Sequence, residues 1–179
     1  TSTQLNALTS TNLQALTTAQ VAKLSTTAVA NLTTTQLNLM ETSDVAALGT
    51  AQVAGLTSTQ LNALTSTNLQ ALTTGQVPAL TTTTVANLTS TQLNLMQTSD
   101  LAALSTTQAI TLTSTQLNGL DTTHVVALTT AQAAALTSTQ LNALTSTNLQ
   151  TLTTTQAAVL TTTQAANLST TQLNLLETS

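Results

Sequence analysis

Residues 57–72 read TSTQLNALTSTNLQAL, two eight-residue units in succession, and the rest of the chain is this unit with small edits. An octad runs usually Thr, then Ser or Thr, a third small residue, usually Gln, an aliphatic residue, two variable residues and nearly always Leu. Twenty-two octads follow one another from Thr1 to Leu176, and Glu177, Thr178 and Ser179 open another. With Thr1 at the first position, the fifth is always Leu, Val or Ala, and the eighth is Leu except at Met40 and Met96. The fourth is Gln in 14 octads; the others hold Asn12, Asn68, Asn148, Asp44, Asp100, Ala28, Thr84 and His124.

No octad is lengthened or shortened, so the sequence offers no linker. It predicts a single continuous octapeptide-repeat solenoid over 1–179, of 22 octads plus three residues, cut from a longer chain. A larger duplication lies over the octads. Residues 1–43, 57–99 and 137–179 share one five-octad plan, and their starts lie seven and then ten octads apart. Both spacings are whole numbers of octads, which makes the octad the physical unit.

The apolar fifth and eighth positions are three residues apart and then five to the next pair. One straight strand would send them to opposite faces. One continuous helix also fails, because eight residues at about 100° each overshoot two turns by roughly 80° and the Leu stripe would wind around the axis. The chain must therefore bend once per octad. Thr-x-x-Gln supplies the bend: Thr as helix N-cap, with Gln three residues on returning to the Thr backbone N–H. Positions four to eight then form about one and a half helical turns. Glu41 with Asp44, Gln97 with Asp100, and Asp121 place acceptors or charge where the helix dipole favours them. The expected fold is an all-α solenoid of very short capped helices, one per octad. A β-solenoid is the alternative, because Thr is β-branched and Pro78 falls inside the would-be helix. Its weakness is punctuation, with only four Gly and one Pro for some 22 corners.

The phrases LTTAQVA (Leu16 to Ala22) and LTSTQLNAL (Leu56 to Leu64) resemble low-complexity octapeptide arrays of large secreted bacterial adhesin-like surface proteins. That resemblance implies an extracellular or cell-surface location and a structural or adhesive role. The Leu-Thr-x-x-Gln-Val opening is also similar to the first helix of the TAL-effector repeat. The period here is eight rather than about 34, and the basic residues and base-reading loop are missing, so only the helix-starting logic carries over.

Charged residues are 3% of the chain, and Lys23 is the only cation beside Glu41, Asp44, Asp100, Asp121 and Glu177. One lysine cannot displace the counterions of a duplex, which argues against nucleic acid. No run approaches the 18 apolar residues of a membrane span, so no membrane insertion is expected. His124 is the only histidine, with Asp121 three residues before it in a capping relation. Too few ligand-type residues accompany it for a metal site, and it reads as a structural substitution. Glu41 and Asp44 read as helix-start charges rather than a calcium pair, because calcium takes six to eight oxygens. No catalytic, metal or cofactor residues are assigned, and the chain is not expected to be an enzyme.

The function class that remains is a structural repeat protein: an extracellular filament, stalk or spacer on a bacterial surface, associating end to end with itself. The alternative is a binding module whose threonine lattice meets ice, a polysaccharide or another surface ligand. Either role needs many copies, because one octad buries too little to offset the entropy of ordering it. A synthetic 16-residue peptide of two octads is accordingly expected to give a disordered circular-dichroism spectrum; an ordered one would contradict coupling between octads.

Overall fold

The computed structural model describes residues 3, 5 and 7–176; Glu177, Thr178 and Ser179 of the unfinished octad lie outside the described residues. Among the described residues the regular structure is helical, twenty short α-helices and one 3-10 helix, with no strand. The chain forms two compact units, Thr1–Leu88 and Thr89–Ser179.

Each octad makes one helix, as the capping logic requires. At Thr57 the backbone is extended (φ −86°, ψ 156°), its hydroxyl accepts from the Gln60 N–H, and the helix Ser58–Asn62 starts at the next residue. The same pattern recurs at Thr17, Thr33, Thr113, Thr129, Thr137, Thr153 and Thr161. The α-helices therefore begin at the second position, not the fourth, and stop at the fifth to seventh, except that Thr170–Leu176 runs on to the eighth. Elsewhere the eighth-position leucine has left the helix, as at Leu120 (φ −66°, ψ 139°). The reason is local: an N-cap leaves no room for non-helical residues between itself and the first turn. In the octad of Pro78 the α-helix gives way to the 3-10 helix Val77–Ala79, which follows Gly75. A prolyl nitrogen cannot donate in either kind of helix, and Pro78 lies in the first turn of this one, where no intrahelical donor is required.

Within each unit every octad lies against the octad three places on. In the first unit Ser10–Gln14 packs on Thr34–Leu39, Thr18–Val21 on Thr42–Ala47, and Thr50–Ala54 on Val77–Ala79. In the second, Ser90–Leu95 packs on Ser114–Gly119, Thr98–Ala103 on Thr122–Ala127, and Ser146–Thr151 on Thr170–Leu176. Helix packing thus links octads three places apart while the fourth-position amides link octads four places apart, as Gln60 does with Val29 and Leu32, so one coil takes between three and four octads, with the core inside. Leu61, Leu93, Leu101 and Leu141 at the fifth position are at most 1% exposed, and Leu64, Leu72 and Leu80 at the eighth are buried. Met40 and Met96 are buried in the leucine slots.

Close stacking leaves no room for a side chain at Gly119, although other octads carry Lys23, Leu39 or Leu95 at this seventh position. A Cβ on Gly119 would collide with the Cβ and Oγ of Ser90 in the coil before. Loss of a buried fifth-position side chain leaves a cavity that so tight a stack cannot close. Leu141→Ala should cost about 2–5 kcal/mol, measured by chemical denaturation, and an effect below about 1 kcal/mol would contradict the core described.

Candidate functional site

The chemistry-bearing groups of the chain meet in one place, the fourth position of each octad. In an isolated capping box this residue would be solvated. Here it is buried: Gln52, Gln60, Gln76, Gln92, Gln108, Gln116 and Gln132 are all 5% exposed or less. Its oxygen does what the sequence predicts. Gln132 Oε1 accepts from the Thr129 N–H (2.7 Å), and Gln60 Oε1 accepts from both the N–H (2.8 Å) and hydroxyl (3.1 Å) of Thr57.

Its nitrogen does something the sequence does not announce. Gln132 Nε2 donates to the carbonyls of Leu101 (2.9 Å) and Leu104 (2.7 Å), the fifth and eighth residues of the octad four places earlier. Gln60 reaches Val29 and Leu32, Gln76 reaches Val45 and Leu48, and Gln156 reaches Val125 and Leu128 in the same way. One amide therefore caps the N-terminus of its own helix and the C-terminal carbonyls of the helix beneath. A short helix leaves unpaired groups at both ends, and the fourth-position Gln serves both.

Several substitutions in this column keep part of the arrangement, while Ala28 has no polar side chain to offer. Thr84 donates through its hydroxyl to the Leu56 carbonyl (3.3 Å). Asn68 donates to the carbonyls of Leu37 (3.0 Å) and Met40 (3.2 Å), and Asn148 to those of Leu117 (2.7 Å) and Leu120 (3.4 Å). Asparagine is one methylene too short to reach back to the N-cap as well. Asparagines at the sixth position serve those N–H groups instead. Asn38 Oδ1 accepts from the Thr65 N–H (2.9 Å) and Asn118 Oδ1 from the Thr145 N–H (2.8 Å). Their own amide nitrogens donate to the carbonyls of Ala63 and Ala143, both at 2.7 Å. Asn94 does the same for the His124 octad, accepting from the Asp121 N–H (3.1 Å) and donating to the Gly119 carbonyl (2.7 Å).

The acidic residues depart in part from expectation. Asp121 is an N-cap as read, accepting from the His124 N–H at 2.9 Å. Asp44 and Asp100 lie in the first turn of their helices as read, and are in addition buried at 2% and 1% exposure in the glutamine column. Burial pushes both carboxyls above the ordinary range; neighbouring Glu41 adds to the rise at Asp44, and backbone hydrogen bonds at the N-cap oppose it in both. Glu41 makes no side-chain cap. His124 occupies the glutamine slot and is buried, with Nδ1 2.8 Å from Asp121 Oδ1 and Nε2 3.0 Å from the Met96 carbonyl oxygen. Its capping relation to Asp121 is as the sequence suggested; the contact with the coil beneath is not.

Fold and column together define an all-α repeat protein in which, within each unit, fourth-position side chains tie octads to those four places earlier. A family model described as the ALTTAQ repeat matches residues 37–74 and 93–130, so the chain carries two tandem stretches similar to that repeat. The two matches start seven octads apart, the spacing of the first two five-octad blocks. No curated protein and no solved structure matches the chain.

Removing a column amide strands the carbonyls it serves, at about 1–3 kcal/mol for each buried group left unpaired. Gln132→Leu should therefore lower stability by about 2–4 kcal/mol, although it adds apolar surface. Gln150→Leu, on the exposed sixth position, should stay within about 0.5 kcal/mol. Equal effects in denaturant titrations would show that the column carries no special load.

Proposed function

We propose that the chain is a structural repeat segment that builds an extracellular filament, stalk or spacer, with no reaction of its own. The supporting observation is the coil-to-coil hydrogen bonding of the fourth-position amides. Each octad offers main-chain carbonyls on one side and an amide donor on the other, so the pattern has a direction and no built-in stop. Head-to-tail contacts of that kind give open assemblies when they do not close into a ring. End-to-end association with further copies, or with more of the same repeats, is the partnership that follows. With 3% charged residues, little repulsion opposes it. A bacterial-surface location rests on the resemblance of the octads to adhesin-like arrays. Among the described residues no helix is long and apolar enough to cross a membrane.

The second reading, a threonine face that meets ice or a polysaccharide, draws on one observation. First-position threonines are engaged as caps, but third-position residues, such as Thr59, Thr83, Thr107 and Thr155, are exposed in every described octad. That single row is the face a ligand would meet.

Negative-stain microscopy of the purified chain separates the outcomes. Fibres that lengthen with concentration support the filament, and isolated short rods support a stalk or binding module. Round particles would overturn both.

A further inference from the structure

The fourth-position column contains one ionisable base, and its surroundings differ from those of every glutamine in it. His124 replaces Gln, and in the same octad Asp121 replaces Thr at the first position. A glutamine offers one acceptor to its own N-cap and one donor group to the coil beneath. The imidazole faces an acceptor on each side: the Asp121 carboxylate at 2.8 Å from Nδ1, and the Met96 carbonyl oxygen at 3.0 Å from Nε2. A carbonyl oxygen cannot donate. Nor can the carboxylate, which the His124 ring, together with the His124 and Thr123 N–H groups, holds below the usual carboxylate range against a smaller effect of burial. Satisfying both contacts therefore takes two ring protons.

We propose that His124 sits in the coil as an imidazolium between Asp121 and the Met96 carbonyl, and that loss of one ring proton loosens this octad from the octad of Met96 beneath it, making a pH-sensitive joint in the stack. A neutral ring has one bare nitrogen. Either tautomer sets that lone pair against an acceptor, at a side chain only 7% exposed where water has little access. The joint is independent of the filament reading.

Other titratable groups near the ring are few. The helix Thr98–Ala103, against which Thr122–Ala127 packs from below, carries the buried Asp100. The helix Ser146–Thr151, which packs from above, carries none, and neither do Ser90–Leu95, whose octad ends at Met96, Thr154–Ala158, whose Gln156 bonds the Val125 and Leu128 carbonyls, or the sequence neighbours Ser114–Gly119 and Thr130–Ala135. Asp121 remains ionised down through the ordinary carboxylate range, so its contribution is lost only as pH falls through its lowered value. On the alkaline side the contribution is lost as the ring gives up its second proton. The joint is therefore tight in mild acid and weakens as pH rises.

Two measurements on the whole chain test this. Ring nitrogen shifts of the single histidine should report two bound protons at pH 5.5; a singly protonated ring at that pH overturns the proposal without any variant. Hydrogen-exchange protection of the Val125 and Leu128 amides, corrected for intrinsic rate, should fall about tenfold or more from pH 5.5 to 8.5. The Leu141 amide, in an octad that does not stack on this one, should not change. The double reversion Asp121→Thr/His124→Gln restores the common octad and leaves Asp100 in place. It should abolish the fall at Val125 and Leu128; retention of the wild-type pH dependence would overturn the proposal.

Discussion

A helix of five residues cannot hold itself together, because most of its backbone groups lie within a turn of one end or the other. The fourth-position amide is the answer to that constraint. Its oxygen closes the start of one helix while its nitrogen closes the finish of another 28 to 31 residues earlier, as Gln132 does for Thr129, Leu101 and Leu104. The leucine core would press these helices together in many arrangements. The amide fixes which one, because its two ends have opposite hydrogen-bonding character and are buried where an error cannot be corrected by water.

That division of labour explains the composition. Aromatic and charged side chains have no place in a coil whose cavity is filled by one Leu or Val and one Leu per octad, with a polar layer that is already saturated. No buried side-chain nitrogen or oxygen among the described residues lacks a hydrogen-bond partner. Threonine, a poor helix interior residue, is kept to the cap and the first turn, where its hydroxyl closes the end of the helix. The buried Asp44 and Asp100 are the exceptions, since they bring only acceptors to a place built for a donor as well.

Much of this is legible in the sequence. The 3-5 spacing of apolar positions excludes an unbroken helix, and Thr-x-x-Gln locates the bend and the cap. The helical class follows, against the pull of β-branched residues. The helix start is not legible in the same way: the sequence assigns the turn to the first three positions, whereas the bend at Thr57 needs only its own extended backbone. Nor is the number of octads per coil, because the partners of the amide nitrogen are main-chain carbonyls and leave no mark on residue identity. One trace does exist. Asn38 and Asn68, Asn94 and His124, and Asn118 and Asn148 share one spacing, two positions short of four octads. In each pair an asparagine stands ahead of a fourth-position residue that cannot serve its own cap. That spacing encodes the coil, and only the geometry makes it readable.

Recognition of carbonyls rather than side chains has a bearing on how such a gene can lengthen. The block copies lie seven and ten octads apart, two different intervals that are both whole numbers of octads. Unequal recombination could therefore add seven or ten octads at a time, leaving each newcomer on an unfamiliar neighbour, and the newcomer would still find the acceptors it needs. Heredity here has only to count in eights. The asparagine pairs are the exception, since an insertion between Asn118 and Asn148 would separate residues that work as one.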